Sequence, residues 1–225
     1  SMHNYVTLFT TPELINMIIG SVLLAVGSAV LATILGTTGA IGAFYSKGKV
    51  KGAMSVLNQV PVVNADVVTG FSICILLVVV LGVSKDTYIP LVVGHVILSA
   101  PFVYLAVVPK LKQMDPSLYE AALDLGATPA YALFKIIIPQ IASGIASGFV
   151  MAVTLSLDDY FVATYTKPAT FDTISTYVVN ATKGSQTNIR TALWALSTII
   201  FLIVVIVEVV MNFAPIKNEA QKEKH

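Results

Sequence analysis

Five stretches of this chain carry about twenty or more mostly apolar residues in a row, at 14–44, 62–83, 88–108, 136–157 and 191–213. A helix rising 1.5 Å per residue needs ~20 such residues to cross ~30 Å of hydrocarbon, so each stretch is long enough to span a bilayer. The expected fold is therefore all-α, a polytopic transmembrane helical bundle with five spanning helices. The first stretch exceeds one crossing and should tilt or project beyond the membrane. Its Ser28, Ala32, Gly36 and Ala40 recur every four residues, the small-residue ridge that lets membrane helices pack closely. Composition agrees: only 11% of residues are charged, against ~25% in soluble domains. That deficit excludes a disordered chain and argues against a water-soluble enzyme. A net charge of +1 gives no basic field for nucleic acid, and the single Cys74 can build neither an internal disulfide nor a metal site alone.

The few charges are unevenly placed. Lysines 47, 49, 51, 110, 112, 135, 217, 222 and 224 fall in alternate connections, nine on one side. The other side holds Lys85, Lys167, Lys183 and Arg190. The positive-inside rule puts the first group in the cytoplasm. Residues 1–13 and the loop 158–190 are then expected outside, and the C-terminus inside, in a cell-membrane protein. The N-terminal segment has no charged n-region and no cleavage pattern, so it does not read as a signal peptide. Ser1 is not an initiator residue, which makes the chain read as a fragment.

The cytoplasmic connection at 110–139 reads KLKQMDPSLYEAALDLGATPAYALFKIIIP. Asp115-Pro116 is a cap-and-proline helix start. The helix is expected over Pro116–Leu125, ending at Gly126 in the left-handed C′ position. Thr128-Pro129 repeats the start and launches a second helix. About ten residues cover only ~15 Å, so the first helix should lie on the membrane face with Leu118, Ala122 and Leu125 as its apolar stripe. Glu120 and Asp124 stack at i and i+4. They form either a solvated face, which spacing alone favours, or a docking surface for a basic groove on another protein.

Glu120-Ala121-Ala122, Gly126, Ile136 and Ile138-Pro139 are similar to the EAA loop of ABC-importer permeases, with Ile138 at that pattern's Leu position. The resemblance implies that Glu120, Ala121, Ala122, Asp124 and Gly126 form a coupling helix seated on a cytoplasmic ATPase. No G-x-x-x-x-G-K-[ST] loop occurs in the chain, so ATP would be hydrolysed by a partner. The stretches 61–72, 94–105, 120–129 and 154–166 resemble the spermidine/putrescine importer permeases, most of all those of the PotC type. That resemblance implies a single permease domain over 1–225. It would work with a second permease subunit, two ATPase subunits and an extracellular polyamine-binding protein, with membrane lipid around it and no cofactor. Such permeases usually have six spanning helices, so the first is expected to be absent here.

Asp158 and Asp159 end the fourth run near the expected outer face. Carboxylates at a helix C-terminus oppose its dipole. They mark the boundary, or one of them caps the next short helix, or they line the outer mouth of a cation pathway, the reading that the resemblance favours. Tyr160, Phe161 and Tyr165 follow, as an interfacial aromatic belt or as ring faces for an ammonium group. Phe161 and Tyr165 would share a face if a helix continues. His95 has no partner at ligand spacing and reads as a hydrogen-bonded interior histidine. Asp66 reads as a helix-start residue one turn inside the cytoplasmic end of the second run. Glu208 lies in the last run, with a buried contact and a pathway role both open. Cys74 reads as a small buried hydrophobe. A short interfacial helix is expected around 171–179. The overall expectation is a permease subunit of an ATP-driven polyamine importer, with no catalytic residue and no metal of its own. The alternatives are the same machinery for another small solute, or a bilayer-embedded enzyme using Asp158 and Asp159 to hold a metal and a lipid diphosphate.

Overall fold

The fold is a set of helices that meet at alanine, glycine and serine positions, with Leu111, Ile137, Ile141, Val103 and Val107 buried among them. The computed structural model describes residues 12–46, 52–53, 56, 62, 64–115, 117–183, 198, 201–202, 205–206 and 209. In chain order α1 is Pro12–Tyr45, and α2 is Asp66–Cys74, continuing as a π-helical stretch Ile75–Val80. Next come α3 at Ile89–Gln113 and α4 at Ser117–Asp124. A short α5 at Pro129–Ala132 runs through a π-helical stretch, Leu133–Ile137, into α6 at Ile138–Asp158. Finally α7 is Phe161–Thr166 and α8 is Ile174–Lys183. Among the described residues there is no strand.

Three helices are long and apolar enough to cross a membrane: Leu14–Tyr45, Ile89–Gln113 and Pro129–Asp158. They correspond to the first, third and fourth runs of the sequence. The fifth run and the orienting charges at Lys47, Lys49, Lys51, Arg190 and the C-terminal tail lie outside the described residues, apart from six positions in that run. So do residues 1–11 and Glu208.

The four-residue ridge on α1 is the heart of the packing. Ser28, Ala32 and Ala40 are almost fully buried. A Cβ added at Gly36 would stand 2.6 Å from the Ala100 carbonyl oxygen of α3. On α6, a Cβ at Gly144 would meet the Ala106 carbonyl at 2.9 Å, and one at Gly148 would meet Val103 Cα at 3.0 Å. Backbone therefore touches backbone on both sides of α3, the way helices gain close contact in lipid, where burying apolar side chains has no driving force. Val103 and Val107 fill the seam between the three helices. The opposite face of α1 exposes Leu23, Leu31, Ile34 and Leu35, apolar side chains suited to a nonaqueous surround.

The second run departs from a simple span. Asn64 and Ala65 are non-helical, and Ala65 has φ −66° and ψ 137°, so α2 begins only at Asp66. Gly70 of α2 fits against Val162 of α7, where an added Cβ would be 2.8 Å from Val162 Cα. Gly94 of α3 receives the same valine, with Cγ1 at 2.7 Å from an added Cβ. Gly94 lies five residues inside the end of α3 that is remote from Lys110 and Lys112. Asp66 is the first residue of α2, the helix-start position expected from sequence.

The glycine contacts set a test. Gly36→Val should overpack the α1–α3 seam, costing about 1–3 kcal/mol and lowering the thermal midpoint of the detergent-solubilised protein. Gly27→Ala, with nothing within 4 Å of an added Cβ, should leave that midpoint unchanged or raise it.

Candidate functional site

The loop from Met114 to Ile138 folds around two caps. Asp115 Oδ1 accepts the Ser117 backbone N–H at 2.9 Å and the Ser117 hydroxyl at 2.8 Å. These bonds hold its carboxyl below the usual carboxylate range. At the other end Gly126, with φ +87°, allows a Schellman closure. Ala127 N–H reaches the Ala122 carbonyl at 3.0 Å, and Gly126 N–H the Leu123 carbonyl at 2.9 Å. Thr128 Oγ1 then accepts the Tyr131 N–H at 3.3 Å and starts α5 beside Pro129. Both helix starts and the glycine stop are those expected from sequence.

The apolar stripe of α4 is only partly as expected. Ala122 is buried, and Leu118 and Tyr119 pack on the core, with the Tyr119 ring 5.2 Å from that of Tyr45 at the end of α1. Leu125 instead is 90% exposed. The chain has left the helical path by Gly126, so Leu125 turns away from the stripe it would have extended. Glu120, Ala121 and Asp124 are exposed, and Tyr131 and Phe134 are exposed nearby in sequence. The result is an outward surface with acidic and large apolar groups, held by an inward anchor of Leu118, Tyr119 and Ala122.

A second cluster forms at the far end of α6. Asp158 is exposed and Asp159 buried, so the two neighbours divide their roles. Asp159 caps α7: Oδ1 accepts Val162 N–H at 3.2 Å, and Oδ2 accepts Ala163 N–H at 2.7 Å. The capping reading of one aspartate is thus the observed one for Asp159. Phe161 and Tyr165 lie on the α7 helix, as i and i+4 neighbours. Tyr165 meets Phe71 of α2 edge-on with ring centroids 5.7 Å apart, while Phe161 meets Tyr160 at 5.2 Å.

Behind Asp159 runs a polar chain that crosses three helices. His95, with no exposed surface, places Nε2 3.8 Å from Asp159 Oδ2. Its Nδ1 is 2.8 Å from Ser156 Oγ, and Ser156 Oγ is 3.2 Å from Ser28 Oγ. His95 is the hydrogen-bonded interior histidine that its sequence context suggests. Its carboxylate neighbour, 64 residues away in sequence, was invisible to spacing. Cys74 is half-buried rather than buried. Among the described residues no group of three His, Cys, Asp or Glu side chains gathers at metal-binding range.

The loop after α7 is tied by an ion pair of Lys167 Nζ with Asp172 at 3.0 Å, and by Lys167 Nζ donating to the Phe171 carbonyl at 2.9 Å. This tie delays the next helix to Ile174, three residues later than expected. α8 is hooked to α1 through Ile174 N–H to Ser21 Oγ at 2.9 Å, and to α6 through Ser175 Oγ to the Leu157 carbonyl at 2.8 Å. Tyr177 packs partly buried on Leu14, Met17 and Ile174.

Residues 36–214 match the family described as the binding-protein-dependent transport system inner membrane component. The spermidine/putrescine transport system permease protein PotC of Haemophilus influenzae is 30% identical over 214 residues, which span 95% of this chain and 81% of that protein. The putrescine transport system permease protein PotI of Escherichia coli is 34% identical over 151 residues, 64% of this chain and 53% of the relative. Among solved structures, a bacterial ABC transporter involved in the import of the acidic polysaccharide alginate superposes with a TM-score of 0.74 at 19% identity, covering 93% of this chain and 82% of that one. This last likeness is one of fold.

Two outcomes follow from the caps. Asp159→Ala should cost about 0.5–2 kcal/mol, as a lost helix N-cap does, whereas Asp158→Ala should leave the thermal midpoint in detergent unchanged. Because folding depresses the Asp115 carboxyl, its stabilisation of α4 is complete above the unfolded-state value and fades as pH falls through the folded one. Hydrogen exchange at the Ser117 amide, corrected for intrinsic rates, should lose protection only on that acid side.

Proposed function

We propose a transport function from one premise: this chain belongs to the family of binding-protein-dependent transport system inner membrane components. It is a multi-pass helical permease of the cytoplasmic membrane, works with an ABC ATPase and a binding protein, and carries out translocation rather than bond chemistry. We read the solute as a polyamine, spermidine or putrescine, after the relatives named for those solutes.

The observation that carries the mechanism is the outward surface of α4. Glu120, Ala121 and Asp124 are presented to a partner while Leu118, Tyr119 and Ala122 anchor the same helix to the bundle. A helix fixed on one face and free on the other can pass a push. In this reading two ATPase subunits, one for each of two permeases, seat on residues 110–139, with Gly126 setting the turn that leads onward to α5 and α6. Closing of the ATPases would rock α6 and its neighbours between outward and inward openings. The lysine distribution puts this loop in the cytoplasm and the 158–190 loop outside, where a polyamine-binding protein would deliver its solute. Asp158, Asp159, Tyr160 and Tyr165 lie at the outer end of the path, where carboxylates and ring faces attract a polycation. The partly buried Tyr177 makes α8 an anchored platform for that delivery.

An enzyme reading of Asp158 and Asp159 has less in its favour, because the pair does not open on one site: one side chain is exposed and the other caps a helix.

The test is reconstitution with the ATPase, the second permease and the binding protein in liposomes. ATP-dependent uptake of labelled spermidine is expected, and a complex that hydrolyses ATP but accumulates no polyamine would refute the solute assignment. Glu120→Lys should reduce co-purification of the ATPase at least tenfold. Gly126→Val, which forces a β-branched residue to positive φ, should lower uptake with the subunits still present.

A further inference from the structure

α1 is longer than one crossing needs, and each of its ends meets a different segment of the chain. At the N-terminal end Leu14, Met17, Gly20 and Ser21 follow at three- and four-residue spacing, so they share one face, and that face meets the stretch from Phe171 to Val178. Leu14, Met17 and Ile174 form a buried cluster on which Tyr177 and Val178 pack. The Phe171 ring fills the space beside Gly20, where an added Cβ would stand 2.7 Å from its Cε2. Ser21 Oγ accepts the Ile174 N–H at 2.9 Å and donates to the Met17 carbonyl at 2.8 Å. The segment is itself braced. Lys167 ties it at Asp172 and at the Phe171 carbonyl, and the Tyr88 ring stands edge-on to Phe171 at 5.4 Å.

At the other end α1 is regular to its last residue. Ser46 closes it, its N–H and hydroxyl both donating to the Gly42 carbonyl, at 3.0 and 2.6 Å. In that final turn Tyr45 meets Phe44 edge-on at 5.1 Å and lies against Tyr119 of α4 at 5.2 Å. Phe44 and Tyr119 both pack on the buried core, so Tyr45 is held between two anchored rings. Tyr119 is followed directly by Glu120 on the outward surface of α4. From Gly20 to Tyr45 the axis covers about 37 Å at 1.5 Å per residue, more than the ~30 Å of hydrocarbon.

α3 and α6 also run between these two regions, but each has a place to bend. α3 carries Pro101 and Pro109 in its interior, and α6 grows from the Leu133–Ile137 π-helical stretch. α1 has no proline after its first residue and no π-helical stretch. A load at one of its ends is therefore carried to the other as a movement of the whole helix.

We propose that α1 transmits docking of the loaded binding protein at α8 to the ATPase at α4, with Phe171 pressing on Gly20 at one end and Tyr45 on Tyr119 at the other. Phe171 and Tyr45 act through the helix and are positioning residues. This route rests on the reading of α8 as the delivery platform and of α4 as the ATPase contact, and it adds the connection between them. Two distant sites are coupled when both bias one element, and α1 is the unbroken element that both touch.

The experiment uses the transporter reconstituted with the ATPase, the second permease and the binding protein. ATP hydrolysis is measured without binding protein and with saturating spermidine-loaded binding protein. A wild-type complex that shows no stimulation would overturn the platform reading itself. Given stimulation, Phe171→Ala and Tyr45→Ala should each reduce it at least fivefold, with basal hydrolysis and co-purification of the ATPase unchanged. Tyr45→Phe, which keeps the ring, should retain it. Should Tyr45→Ala fail to assemble, Tyr45→Leu is read in its place. The double variant Phe171→Ala/Tyr45→Ala should be no more impaired than the worse single one, because both break one route. Full stimulation in the Tyr45 variant, or losses that multiply in the double variant, would overturn the α1 route and leave the transport role standing. A parallel loss of basal hydrolysis in an assembled complex would mark the rings as structural supports and overturn the route as well.

Discussion

Close backbone contact along α3 is the constraint from which the rest of the structure follows. α1 and α6 both approach α3 at glycine positions, Gly36 on one side and Gly144 and Gly148 on the other, so that carbonyl oxygens and Cα atoms form the contact surface. In lipid, such packing takes the place of the hydrophobic effect. It also brings Ser28, His95 and Ser156 within hydrogen-bonding distance in sequence, Ser28 to Ser156 and Ser156 to His95. Larger residues at the glycines would push the helices apart and strain those hydrogen bonds in a nonaqueous interior.

What could be read from the sequence was what is local along the chain. The positions of the first, third and fourth spans, the small-residue ridge, the caps at Asp115 and Thr128 and the Gly126 stop depend on residues within a turn or two of each other. The failures are all cases where the fold brings distant residues together or breaks a helix. Leu125 belongs to the stripe by helical spacing, yet the helix ends one residue too soon to use it. The 62–83 run is long enough to span, but Asn64-Ala65 interrupts it, and α2 begins only at Asp66. No spacing rule links Asp159 to His95. The pairing Asp158-Asp159 suggested a shared role, but neighbouring residues at a helix end point in different directions, and only one can enter the interior.

α6 joins the two regions of interest in one continuous element. Its N-terminal end grows out of α5 and the Leu133–Ile137 π-helical stretch, directly after the α4 turn, and its C-terminal end stops at Asp158 and the Asp159 cap. A π-helical stretch widens the backbone and weakens the regular hydrogen-bond ladder, which makes it a natural place for a helix to bend. The remainder of α6, locked to α3 through Gly144 and Gly148, has no such freedom. A displacement at α4 would therefore be absorbed at Leu133–Ile137 or carried as a rigid-body movement of α6, with little deformation between.

Rigid movement of α6 has a definite consequence at its C-terminal end. Ser156 and Asp159 ride on α6 and its continuation, whereas His95 rides on α3 and Asp66 on α2. A shift of even 1 Å of α6 against α3 would change the 3.8 Å separation of Asp159 and His95 by about a quarter. The polar chain is thus placed where any movement of α6 against α3 alters the hydrogen bonds of Ser156 to Ser28 and His95. Coupling of this kind requires only two packed positions of one helix, which close-packed glycine seams favour over continuous deformation.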